Sequence, residues 1–228
     1  KNTSCHFTLT TSQGQLSCES LVIATGGLSI PSMGSSPFGY QVAEQFNIKV
    51  WPTRAGLVPF TLHEKDKKHL SELSGISVDS SIECNRKSFE ESLLFTHRGL
   101  SGPAALQISS YWHPGDALTI SLQPSINLME KITQDKSNHP QWPLKKSITE
   151  LFPNKLLHTW LSEDTLKQPL QNFSQSKLSH IAKQFQNWTI QPNNTEGYRT
   201  AEVTLGGVDC HAISSKTFEA NNTPDLYF

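Results

Sequence analysis

The chain has 228 residues, 36% hydrophobic and 17% charged, with 19 lysines and arginines against 20 acidic side chains and a formal net charge of −1. That length supports one or two domains with a sizeable core, and a neutral balance without a basic stripe argues against nucleic acid as the main partner. No apolar run approaches the roughly 20 residues that span a bilayer, and the first residues, Lys1 to His6, offer no apolar core of a signal peptide.

His6 to Thr10 alternates and predicts a strand, Ser12-Gln13-Gly14-Gln15 a turn, and Leu16 to Ile23 a returning strand. That apolar run closes in Ala24-Thr25-Gly26-Gly27. Paired glycines after a strand are suited to a backbone that must approach a ligand closely, or simply to a tight turn. A Pro/Gly/Ser-rich loop leads to a helix over Phe38–Phe46, with Tyr40, Val42, Ala43 and Phe46 on one side. Ile48 to Val50 begins another strand. The pattern then predicts strands at Leu57–Leu62, Ile76–Ile82, Leu93–Thr96 and Ala117–Leu122, with a short helix over Gly102–Tyr111 that Pro103 opens. From 126 to 188 the spacing turns helical in five segments: 126–134, 143–151, 153–161, 163–172 and 174–188. Leu178, Ile181, Ala182 and Phe185 form an apolar stripe there, and Asp164 is a candidate cap. Strand character resumes over Thr200–Leu205, with Gly206-Gly207 after it, and Leu226-Tyr227-Phe228 again reads as strand.

Three segments are dense in chemistry-bearing residues. Ala24, Thr25, Gly26 and Gly27 form the first. The second is Phe95-Thr96-His97-Arg98-Gly99-Leu100-Ser101-Gly102-Pro103-Ala104. Its helix start offers free N–H groups to an anion or polarised carbonyl, or Ser101 serves as an ordinary cap; His97 is either a proton donor or a surface residue. The third is Glu196 to Val208. Arg199 either grips a phosphate or carboxylate or pairs with Glu196 or Glu202, and Thr204, Gly206 and Gly207 bring backbone near a ring or end a strand. No Gly-x-Gly-x-x-Gly, Cys-x-x-Cys or Gly-x-Ser-x-Gly occurs, and the nine histidines show no metal-ligand spacing, so no metal is expected. Four scattered cysteines (5, 18, 84, 210) suggest reduced thiols in the cytoplasm.

In order and spacing, Ala24 to Pro31, Pro37-Phe38-Gly39-Tyr40, Leu57-Val58-Pro59-Phe60, Leu94 to Pro103, Glu196 to Val208 and Ser214 to Thr217 resemble bacterial flavoproteins of the aminoacetone-oxidase family of NAD(P)/FAD-dependent oxidoreductases. The resemblance implies an α/β plus α+β architecture. Residues 1–48 and 209–228 would be parts of a glutathione-reductase-like FAD-binding domain. Residues 49–125 with 193–208 would form a β-barrel-like insert, and 126–192 a helical one. It implies FAD beside Ala24, Thr25, Gly26 and Gly27. Thr96, Gly99, Ser101, Gly102, Thr204, Gly206 and Gly207 would face the flavin or the substrate. It implies a cytoplasmic oxidoreductase with a small-molecule substrate and NAD(P)H as transient electron donor, to which the composition adds no nucleic-acid or membrane partner. With the glycine fingerprint missing, the chain reads as an internal piece of that enzyme, whose open sheet edges favour self-association. The alternative is a non-catalytic fragment, or a small-molecule-binding insert module, that holds no FAD by itself. An RNA-binding barrel is a third reading, disfavoured by the neutral charge.

Overall fold

A computed structural model describes residues 7–228. Cys5 and His6, the first residue of the expected amino-terminal strand, lie outside the described residues. In chain order the elements are β1 (Phe7–Thr11), β2 (Gly14–Cys18), β3 (Leu21–Val22), α1 (Phe38–Gln45), β4 (Val50–Gly56), β5 (Phe60–Thr61), α2 (Glu64–His69), β6 (Ser77–Cys84), β7 (Lys87–Phe95), β8 (Gly99–Ser101) and α3 (Pro103–Ser109). They continue with β9 (Leu118–Leu122), α4 (Leu128–Asn138), α5 (Leu144–Ile148), α6 (Asn154–Trp160), α7 (Glu163–Lys167), α8 (Gln175–Gln186), β10 (Trp188–Ile190), β11 (Asn194–Thr195), β12 (Val203–Val208), β13 (Glu219–Ala220) and β14 (Thr223–Tyr227). The result is mixed α/β. No helix among the described residues is long and apolar enough to cross a membrane.

The chain divides into two compact units, one made of the residues up to Ala55 with Gly197–Phe228, the other of Gly56–Glu196. In the first unit, β1 and β2 form a hairpin. The sheet β13-β14-β3 joins the two ends of the chain by a parallel pairing, Leu21 opposite Leu226 and Val22 opposite Tyr227. A parallel pair needs a long crossover, and here everything between the two strands supplies it. Phe7, Ala43, Ile48, Ala220 and Leu226 form this unit's core, with Phe46 edge-on to Phe7 at 6.0 Å.

The second unit is built on a seven-stranded antiparallel sheet in the order β10-β9-β6-β7-β8-β5-β11. The strand pleat sends Val78, Ser80, Ile82 and Cys84 of β6 inward. The outermost strands β10 and β11 are separated by only residues 191–193. Four residue steps reach about 14 Å at most, whereas seven strands laid flat put their edges roughly 29 Å apart. The sheet therefore curls until its edges approach. Helix α8 buries the expected stripe of Leu178, Ile181, Ala182 and Phe185.

Several expectations are corrected. The 57–62 strand shrinks to Phe60–Thr61, because Leu57 adopts φ +46° and breaks the extended run. The returning strand 16–23 is interrupted after Cys18. Segment 163–172 ends as a helix at Lys167, with Pro169 ahead of a single 3-10 turn. Asp164 lies inside the first turn of α7; the cap is Ser162, whose hydroxyl accepts from Thr165 N at 3.3 Å. Ser101 does not cap α3 either. It lies in β8 opposite Leu94, and Gly102 occupies the cap position without a side-chain bond.

Candidate functional site

Within the first unit the loop after β3 and the start of α1 wall a cavity of about 510 Å³. Ile23, Val208, Ile213, Phe218 and Phe228 give it apolar walls, and Thr25, Tyr40, Cys210, Ser214 and Ser215 add hydroxyls and a thiol. No lining side chain carries a charge. Gly39 sits in α1 where a Cβ would lie 2.6 Å from Thr25 Oγ1 and 3.2 Å from Ile23 Cγ2, so only glycine lets the helix rest on this loop. Gly26 has φ +69° with open space beside it. Its backbone is free to meet a ligand.

The other predicted residues of this unit gather next to the cavity. Thr204 Oγ1 accepts Leu28 N at 2.8 Å and Ser29 N at 3.1 Å, and lies 3.0 Å from Ser29 Oγ. A Cβ on Gly27 would lie 2.7 Å from that same oxygen. One on Gly207 would press the Tyr40 ring, and one on Gly206 would meet the Pro52 carbonyl. Burial raises the Tyr40 phenol above its ordinary value, with the neighbouring Tyr198 adding to the rise and a hydrogen bond with Thr204 opposing it. Tyr40 therefore stays neutral at physiological pH. Gly27, Gly206 and Gly207 serve close approach of protein to protein; of the first four predicted residues, Thr25 and Gly26 line the cavity.

In the second unit Thr96 and Gly99 close the β7–β8 turn, while Ser101 lies in β8 and Gly102 stands at the cap of α3. Thr96 N donates to Gly99 O at 2.8 Å, and Thr96 Oγ1 accepts from Gly99 N at 3.0 Å. A Cβ on Gly99 would strike the Phe60 carbonyl. His97 is exposed. Arg98, not Arg199, holds Glu196, at 3.0 Å. These contacts hold the Thr96–Gly99 turn closed. No group of three His, Cys, Asp or Glu among the described residues is placed to hold a metal.

The sequence reading did not nominate Tyr40, Cys210, Ser214 or Ser215 as site residues. They stand in the runs Pro37–Tyr40 and Ser214–Thr217, whose spacing was a usable signal. The thiols offer a direct check. Burial pushes Cys84 up to about 11, whereas Cys210 is exposed at the cavity. Because the thiolate is the nucleophile, iodoacetamide at pH 8 is expected to label Cys210 in the native protein and Cys84 only after unfolding. Equal labelling rates in native buffer would contradict this burial.

Comparison with known proteins adds a family and relatives. The profile of the HI0933-like protein barrel and H2TH domain matches residues 54–203. A ribosomal RNA dihydrouridine synthase of Escherichia coli (strain K12) is 49% identical, over 97% of this chain and 56% of that protein. One from Haemophilus influenzae (strain ATCC 51907 / DSM 11121 / KW20 / Rd) is 48% identical, again over 97% and 56%. A 3-dehydro-bile acid delta(4,6)-reductase of Clostridium scindens is 22% identical, over 91% of this chain and 54% of that protein. The chain thus spans about half the length of the curated relatives it matches. These findings overturn the aminoacetone-oxidase resemblance. They also overturn the small-molecule substrate and the exclusion of nucleic acid, since the two nearly half-identical relatives are named for a reaction on RNA. Nothing in them favours the non-catalytic insert module. The exclusion failed physically because net charge averages over the whole surface, whereas RNA is held by local charge.

Proposed function

The chain belongs to the HI0933-like family, and on that premise we propose that the protein it forms part of is a flavin-dependent enzyme reducing uridine to dihydrouridine in ribosomal RNA. The observation that carries this reading is identity of 49% and 48% with two ribosomal RNA dihydrouridine synthases along 97% of the chain. The reaction adds a hydride and a proton across the C5=C6 bond of the base, and no amino-acid side chain is a hydride donor. A bound flavin would supply the hydride.

The cavity suits the ring part of such a group. Its volume is within the range of ligand sites, its walls are apolar and uncharged, and Gly26 offers bare backbone. Ile23, Val208, Ile213 and Phe228 would bind the ring, and Thr25 with the Gly26 backbone would hold its polar edge. Tyr40 Oη keeps its proton at neutral pH and orients the loop through Thr204. In this reading the first unit is part of a glutathione-reductase-like FAD domain, residues 126–192 are a helical subdomain of the insert, NAD(P)H supplies the electrons, and the enzyme works in the cytoplasm on RNA.

The test is to purify the whole protein, record its visible spectrum, and incubate it with NADPH and ribosomal RNA free of dihydrouridine. A flavin spectrum and a mass gain of two hydrogens at a uridine are expected. A flavin-loaded protein that consumes NADPH and leaves every uridine unchanged would refute the proposal.

A further inference from the structure

We propose that a basic, tryptophan-lined groove on the second unit, between α2, α6 and α8, is the surface that grips an unpaired stretch of the RNA; this rests on the reading of RNA as substrate. Two hollows of about 480 and 520 Å³ share His69 and Thr159 and so form one groove. Lys65, Lys68 and His69 come from α2, and His158 and Trp160 from α6. His180, Lys183, Gln184 and Asn187 come from α8 and the turn after it. Their spacing is that of one helix face, the one opposite the buried stripe at 178, 181, 182 and 185.

The charge in the groove is unspent. Lys65, Lys68 and Lys183 are exposed and form no ion pair among the described residues, whereas Lys67, Lys131 and Lys167 are paired. Glu72 is the one acid on the lining. His158 faces Glu163 at 3.1 Å and Lys145 at 3.4 Å.

Aromatic surface accompanies that charge. Trp160 stands edge-on to Trp188 at 5.2 Å and to His69 at 6.4 Å, and Trp188 stacks on Phe95 at 6.2 Å. Both tryptophans stay partly exposed while their neighbours fix their orientation. Phosphates seek unpaired lysines, and unpaired bases seek aromatic rings with amides and hydroxyls nearby for their edges. Gln184, Asn187 and Thr189 supply those amides and a hydroxyl. A membrane surface fits less well, because Tyr111 is the one large apolar side chain this unit exposes among the described residues.

The experiment compares the whole protein with its Lys65→Ala/Lys68→Ala/Lys183→Ala variant. A control variant, Lys87→Ala/Lys146→Ala/Lys177→Ala, loses equal charge elsewhere. Binding to deproteinised ribosomal RNA is measured across a salt series, with thermal unfolding as a check on folding. Loss of three phosphate contacts is expected to weaken binding about 40-fold near physiological salt and to flatten the log–log salt slope by about 2. The control should stay within about threefold of wild type. Unchanged affinity, an equal loss in the control, or loss of anionic-vesicle binding with RNA binding intact would each overturn the groove. If the wild type makes dihydrouridine while the groove variant binds RNA normally, the groove fails and the proposed function stands. If the wild type binds RNA through these lysines and modifies no uridine, the groove stands and the proposed function fails.

Discussion

Gly102→Ala is expected to destabilise the second unit by about 2–6 kcal/mol, lowering its melting temperature by roughly 10 °C. Two costs add. Gly102 has φ +87° and ψ +164°, a region that residues with a Cβ avoid, worth about 1–3 kcal/mol. A Cβ there would also lie 2.6 Å from Ser92 O and 2.7 Å from Leu94 N, both backbone atoms of β7. Separating them prises β8 from β7, where Leu94 pairs with Ser101, for about another 1–3 kcal/mol. Gly115→Ala is the comparison, since Gly115 has φ +100° but open space around it and bears the backbone cost alone. Thermal unfolding of the two variants checks the argument. It fails if Gly102→Ala melts within about 3 °C of wild type, or no lower than Gly115→Ala.

On the proposed function, Thr204→Val should cost about 2–4 kcal/mol and lower the flavin content of the whole protein severalfold. Valine keeps the shape of threonine but accepts no hydrogen bond. Leu28 N and Ser29 N would then lose their acceptor, in a half-buried setting where an unmet donor costs about 1–3 kcal/mol. The loop from Ala24 to Ser29 would lose the anchor that holds Gly26 at the cavity. The Tyr40 phenol, whose rise Thr204 now opposes, should titrate still higher. Thr204→Ser keeps the oxygen and should restore both the loop and the flavin. The flavin-to-protein absorbance ratio and the alkaline titration of tyrosine are the measurements. Full flavin occupancy in Thr204→Val would remove the loop from the site.

The sequence was most legible where local rules act alone. The α8 stripe buries as its spacing predicts, and the helix expected over 38–46 spans Phe38–Gln45. It was least legible where distant residues decide. Leu57 accepts φ +46° between Gly56 and the buried Val58, though leucine by itself signals no such turn. The glycines at 26–27 and 206–207 advertised close approach, but not what approaches. Gly27 and Thr204 lie far apart in sequence and meet only in the fold. The basic groove was invisible for the same reason. Lys65 and Lys68 lie far from Lys183 in sequence, so no stripe appears until α2 and α8 flank one hollow.

The parallel pairing of Leu21 with Leu226 has a consequence for how the chain is made. At a translation rate of about 5–20 residues per second, β14 leaves the ribosome roughly 10–40 s after β3. The second unit, contiguous from Gly56 to Glu196, is complete before that and can fold meanwhile. For that interval β3 and the loop that ends it have no partner, and Val22, 66% exposed even in the finished fold, is free to seek a wrong one. Slowing synthesis after residue 196 should therefore raise the aggregated fraction, and supplying residues 197–228 early should lower it.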